Sequence, residues 1–116
     1  MAWFAATIPI QKGQEARARE IGAEFTERRA RYEELNRAAG LKRHLEFIQE
    51  TPMGAAMITV YEADDLSKLG RAFSDDAYDT WWTERIKSIH GFDLRAAGGA
   101  QPKVTLVHEW KAPGVS

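Results

Sequence analysis

Residues 3–10, Trp-Phe-Ala-Ala-Thr-Ile-Pro-Ile, form an apolar run closed by Pro9 and a Lys12-Gly13 turn, which predicts a first strand covered on both faces. From Gln14 the spacing turns helical. Ala18, Ile21, Phe25, Tyr32, Leu35 and Ala39 fall on one stripe among many charges, and Gly40 supplies the stop, so one long amphipathic helix is expected over 14–39. Residues 41–50 then alternate, with Leu41, Arg43, Leu45 and Phe47 on one side and Lys42, His44, Glu46 and Ile48 on the other. Thr51-Pro52-Met53-Gly54 is a turn, and Ala55 to Tyr61 is apolar on both faces, which makes a hairpin of strands two and three.

Asp64-Asp65 places carboxylates at a helix start, with Leu66, Leu69 and Phe73 as a short stripe. Ser74-Asp75-Asp76 repeats the signal ahead of Tyr78, Trp82, Ile86 and Ile89, and Gly91 ends the run, so one broken helix or two short ones are expected. Residues 96–102 are a Gly/Ala connector, and Val104 to Trp110 alternates as a fourth strand. The order β-α-β-β-α-β predicts an α+β protein of ferredoxin-like type, a four-stranded antiparallel sheet with its helices on one face. Strands one and three are apolar on the other face too. Something must cover it, and a second copy of the same sheet, giving a two-fold homodimer, is the economical candidate.

Length allows one domain, 1–116, since domains commonly hold about 100–150 residues. Sixteen Lys and Arg against seventeen Asp and Glu leave a formal charge of -1, which gives no basic excess for nucleic acid or anionic lipid. Cys is absent, so thiolate chemistry, Cys-ligated zinc and iron–sulfur clusters are excluded. Neither a signal-peptide pattern nor an apolar run of membrane-spanning length occurs, and a cytoplasmic protein is expected. Four Trp, five Phe and three Tyr exceed what so small a core needs.

The element order, Glu50-Thr51-Pro52-Met53-Gly54 between the middle strands, and Ser74-Asp75-Asp76-Ala77-Tyr78-Asp79-Thr80-Trp81-Trp82 leading to Ile89-His90-Gly91-Phe92-Asp93-Leu94 resemble the dimeric α/β-barrel superfamily. Within it the likeness is to a bacterial group related to the antibiotic-biosynthesis and haem-degrading monooxygenases. The resemblance implies a homodimer with a small-molecule pocket in each subunit, between the sheet and its own helices. The superfamily also includes polyketide cyclases and chlorite dismutases, so fold transfers better than function.

Several residues could carry chemistry in such a pocket. Arg28 and Arg85 lie on apolar helix stripes, where each either meets a ligand anion, pairs with an internal carboxylate such as Glu46, Glu62 or Glu109, or snorkels to the surface. Trp81, Trp82 and Tyr78 could line the pocket as aromatic walls, or serve only as core. His44 and Glu46 share one strand face and make a usable acid/base pair, the carboxylate fixing the imidazole tautomer. Tyr61 and His90 are the further acid/base candidates.

An enzyme of this kind would be a cofactor-independent monooxygenase, cyclase or isomerase for an aromatic or polyketide-like substrate, binding it through Arg28 and Arg85. In the haem-degrading relatives a His near the end of the last helix, preceded by a Trp, binds the iron. Trp81 and His90 approach that pattern, although the first strand offers Thr7 and no Asn, so haem is the alternative cofactor to none. A non-catalytic ligand-binding or stress-related dimer is the third reading. No metal site is expected, because the three His occur on different elements without helical pair spacing, and no nucleotide-binding or nucleophile-elbow motif is present.

Overall fold

The computed structural model describes residues 2–67, 77–91 and 104–115, with the side chains of 77–79 outside that set. Strands β1 (Ala2–Pro9), β2 (Leu41–Thr51) and β3 (Gly54–Ala63) form one antiparallel sheet in the order β1-β3-β2. Helices α1 (Glu15–Arg19), α2 (Ile21–Glu27) and α3 (Arg29–Ala38) connect β1 to β2, and α4 (Ala77–His90) follows β3. Because both outer strands run antiparallel to β3, they are parallel to each other with β3 between them, and the three helices are the crossover.

The four-stranded ferredoxin-like sheet, and the dimeric α/β-barrel class built on it, are overturned. Among the described residues Val104 to Trp110 pairs with no strand, and the sheet has three strands. Alternation alone does not make a strand, because the backbone groups also need a ladder partner. Here residues of both alternating sets stay in solvent, Leu106 at 72% and Val107 at 91% exposure. The coarser α+β class stands. The expected short helix over Leu66 to Phe73, the cap at Ser74-Asp75-Asp76 and the connector over 96–102 fall wholly or mainly outside the described residues; Asp65 is described, and its carboxylate accepts from the backbone N–H of Ser67 at 2.8 Å.

The expected single helix over 14–39 is three. At Glu20 and Arg28 the backbone leaves the helical region, with ψ of 1° and 29°, and no side chain caps either break. The first break has a visible cause. The Arg17 carbonyl accepts from the Glu20 N–H at 3.1 Å and from Arg85 Nη2, also at 3.1 Å, and is thereby drawn out of the regular ladder. Gly40 and Gly91, both at φ +70°, terminate α3 and α4 in the left-handed region that glycine enters without strain.

Strand β2 also departs from strict alternation. Leu41 pairs with Ala63 and Arg43 with Glu62, so Lys42 is a bulge. It swings Leu41 onto the helix-covered face, where it packs with Leu35 and Ala39, while Arg43, Leu45 and Phe47 keep to the open face. On the covered face Met57 joins Ile10, Ala18, Ile21 and Ile89 in the main core cluster. Each buried Ile or Met of this cluster contributes roughly 1.5–3 kcal/mol.

Candidate functional site

Register builds the site. His44 and Glu46, two apart on β2, project to the covered face, and their partners across the ladder are Tyr61 and Thr59 on β3. Tyr32 comes down on the same spot from α3, one turn before Leu35, which is buried with Ala39 against Leu41 and Tyr61. The four polar tips form a chain. Tyr32 Oη lies 2.6 Å from His44 Nδ1, His44 Nε2 lies 2.7 Å from Glu46 Oε1, and Thr59 Oγ1 donates to Glu46 Oε2 at 2.8 Å. The side chains of His44 and Glu46 are only 8% and 10% exposed, so these bonds form largely out of water.

The directions of the bonds follow from the chemistry of the ends. Burial pushes the Tyr32 hydroxyl above its ordinary pKa, against the lowering effect of the Asn36 side chain and with the Glu46 charge adding to the rise. Tyr32 therefore keeps its proton and donates to His44 Nδ1. The imidazole proton then sits on Nε2 and donates to the Glu46 carboxylate, an assignment made from the partners. If the Tyr32 proton moves to Nδ1, the phenolic oxygen becomes a base while the imidazolium rests against Glu46.

Aromatic rings enclose this chain. His44 stacks on Tyr61 with centroids 4.7 Å apart, and Phe25 stacks on Tyr32 at 4.2 Å. Phe25 also meets Trp82 at 5.7 Å and Trp81 at 6.3 Å, which carries the ring cluster onto α4. The Arg28 guanidinium lies 4.1 Å from the Trp81 ring centroid and stays partly in solvent, with Glu27 as a loose ionic neighbour at 3.6 Å. The break between α2 and α3 falls at this residue.

The fold thus brings His44, Tyr61, Trp81, Trp82 and Arg28 together. Arg85 is held elsewhere, as an internal ion pair. Its side chain is 0% exposed, Nε donates to Glu24 Oε2 at 2.6 Å and Nη2 to the Arg17 carbonyl, while Nη1 is buried with no partner among the described residues. The carboxylate is Glu24 on α2, rather than any of the three expected. Tyr78 lies in the first turn of α4, and its side chain is outside the described set.

His90 ends α4, where its Nδ1 donates to the Pro9 carbonyl at 2.8 Å and ties the helix to the end of β1. Burial, more than the nearby Arg85 charge, pushes its pKa below the ordinary imidazole value, partly offset by the Pro9 bond and the Glu46 charge. Tyr32 and Thr59 are the members that sequence reasoning missed, and Tyr32 is the one that carries the proton. The available signal was a hydroxyl on an apolar helix stripe, which must find a partner once buried. Among the described residues no group of three or more His, Cys, Asp or Glu is placed to hold a metal ion, and no helix is long and apolar enough to cross a membrane. Comparison with family models, with curated proteins and with solved structures finds no match to this chain.

Proposed function

We propose that this protein binds a small aromatic or polyketide-like molecule and moves a proton on it, as a cofactor-independent monooxygenase, cyclase or isomerase would in forming an enolate or phenolate. The Tyr32–His44–Glu46 chain is the observation that carries this reading. A ligand C–H or O–H proton passes to the Tyr32 oxygen as the Tyr32 proton passes to His44 Nδ1, and Glu46 holds the resulting imidazolium. The partly exposed Arg28, seated on Trp81, is a cation available to an anionic ligand. Exchange of the α-protons of 2-indanone in heavy water, followed by proton NMR, tests the reading. Exchange should scale with protein concentration and fall by about 10²–10⁴ in Tyr32→Phe and His44→Gln. Exchange at the buffer rate with the wild-type protein refutes it.

Haem ligation by His90 is the second reading. The Pro9 bond supports it, because it places the ring proton on Nδ1 and leaves the Nε2 lone pair for a metal, as a backbone partner does for metal-bound imidazoles. Haemin titration should then give a Soret band that His90→Ala removes.

We further propose that the working unit is a cytoplasmic homodimer joined through the open face of the sheet. Trp3, Leu45, Phe47, Ile58 and Val60 lie on that face, and Trp3 and Phe47 remain 56% and 52% exposed. Sedimentation equilibrium should show a dimer for the wild type and a monomer for Phe47→Glu, whereas a wild-type monomer at micromolar concentration excludes this interface.

A further inference from the structure

An electron path meets the proton path at Tyr32. Trp81 and Trp82 have centroids 5.9 Å apart, and a single phenyl ring, Phe25, separates them from Tyr32, with which it stacks at 4.2 Å. π systems in such contact exchange an electron readily. A phenol that loses an electron becomes a very strong acid, so its oxidation is easy only where a base already holds the phenolic proton. His44 Nδ1 stands at 2.6 Å, and its other nitrogen is bonded to a carboxylate that steadies the imidazolium. Tyr32 holds its proton on this bond, so oxidation of the phenol hands that proton to His44. The chain contains no cysteine, so no thiol competes to end as the oxidised group.

We propose that Tyr32 is a proton-coupled one-electron donor, which delivers its electron through Phe25 to the indoles of Trp81 and Trp82 and its proton to His44. The partner reactant is a one-electron oxidant of the organic peroxyl radical class. It takes one electron from Trp81 and, with a proton from solvent, leaves as a hydroperoxide. The indole radical cation so formed is refilled by Tyr32, whose O–H bond breaks, leaving a neutral phenoxyl radical and an imidazolium on His44. One electron and one proton have then left the phenol, and charge is balanced by the proton that solvent supplied to the peroxide. This electron-transfer role uses the residues of the acid/base reading but does not depend on it, because no bound ligand takes part.

Pulse radiolysis with azide radical, which oxidises indoles first, tests the proposal. In the wild-type protein the indolyl absorption should decay in step with growth of phenoxyl absorption, at a rate independent of protein concentration. Tyr32→Phe should remove most of the phenoxyl, whereas Tyr61→Phe and Tyr78→Phe should retain it. His44→Gln should slow the transfer by ~10-fold or more, about 1.4 kcal/mol in the barrier. Equal phenoxyl yield in Tyr32→Phe, or an unchanged rate in His44→Gln, overturns the assignment. Should Tyr32→Phe not fold, freeze-quenched wild-type protein carrying ¹⁵N-histidine gives the same decision. A nitrogen coupling between the phenoxyl radical and an imidazole supports the proposal, and its absence refutes it. The indanone exchange assay involves no oxidant, so the two readings fail separately.

Discussion

Replacing His44 by leucine is expected to destabilise the fold by about 3–5 kcal/mol, the range found when a buried charge, here the Glu46 carboxylate, loses its partner. The change strands two groups. Among the described residues Glu46, 10% exposed, then keeps only the Thr59 hydroxyl, and the Tyr32 hydroxyl loses its His44 acceptor. Stacking on Tyr61 is lost as well. His44→Gln should cost less than half as much, because its amide can accept from Tyr32 and donate to Glu46. Both variants should lose the proposed proton transfer, since neither leucine nor glutamine takes a proton at neutral pH. Urea unfolding of the pair, read beside the indanone exchange rate, separates the structural share of His44 from its chemical one. Equal stability of leucine and glutamine variants would mean that the bonds across His44 contribute nothing to the fold.

Glu24→Ala should be comparably severe, at about 3–5 kcal/mol, although Glu24 belongs to no acid/base chain. Among the described residues its carboxylate is the one anion bonded to the guanidinium of Arg85, whose side chain is 0% exposed, and without it the Arg17 carbonyl is the only described acceptor left. The same contacts tie α4 to α1 and α2, so the helices should loosen from one another. The double variant Glu24→Leu/Arg85→Met should recover most of the loss, because removing both charges removes the buried unpaired one. Urea titrations of the two singles and the double measure the coupling. A loss below about 1 kcal/mol in Glu24→Ala would show that the Arg85 charge reaches water.

Much of the architecture was legible in the spacing of apolar residues. The β2–β3 hairpin, the strand at the start, the stops at Gly40 and Gly91, and the helix leading to His90 all follow from local signals. What was illegible depends on contacts distant in sequence. Of the two breaks in the first helical segment, the one at Glu20 sits beside the bond from Arg85, 68 positions from the Arg17 carbonyl it engages. The bulge at Lys42 shifts the phase of Leu41 alone, and no residue type marks it. Alternation over 104–110 described what a strand would look like without saying that a ladder partner exists. At the site, the pair His44 and Glu46 was readable because a two-residue interval on a strand fixes a shared face. Tyr32 was not, since an aromatic ring on an apolar stripe resembles any core residue until its hydroxyl is seen to meet an imidazole.

The tautomer of His44 decides whether the chain runs as drawn from Tyr32 to Glu46. Long-range proton–nitrogen correlation spectra of ¹⁵N-histidine-labelled protein at neutral pH should show His44 with its proton on Nε2 and an unprotonated Nδ1, and Tyr32→Phe should shift the Nδ1 resonance. A proton on Nδ1, or a Nδ1 resonance indifferent to Tyr32→Phe, would contradict the relay and the functions built on it.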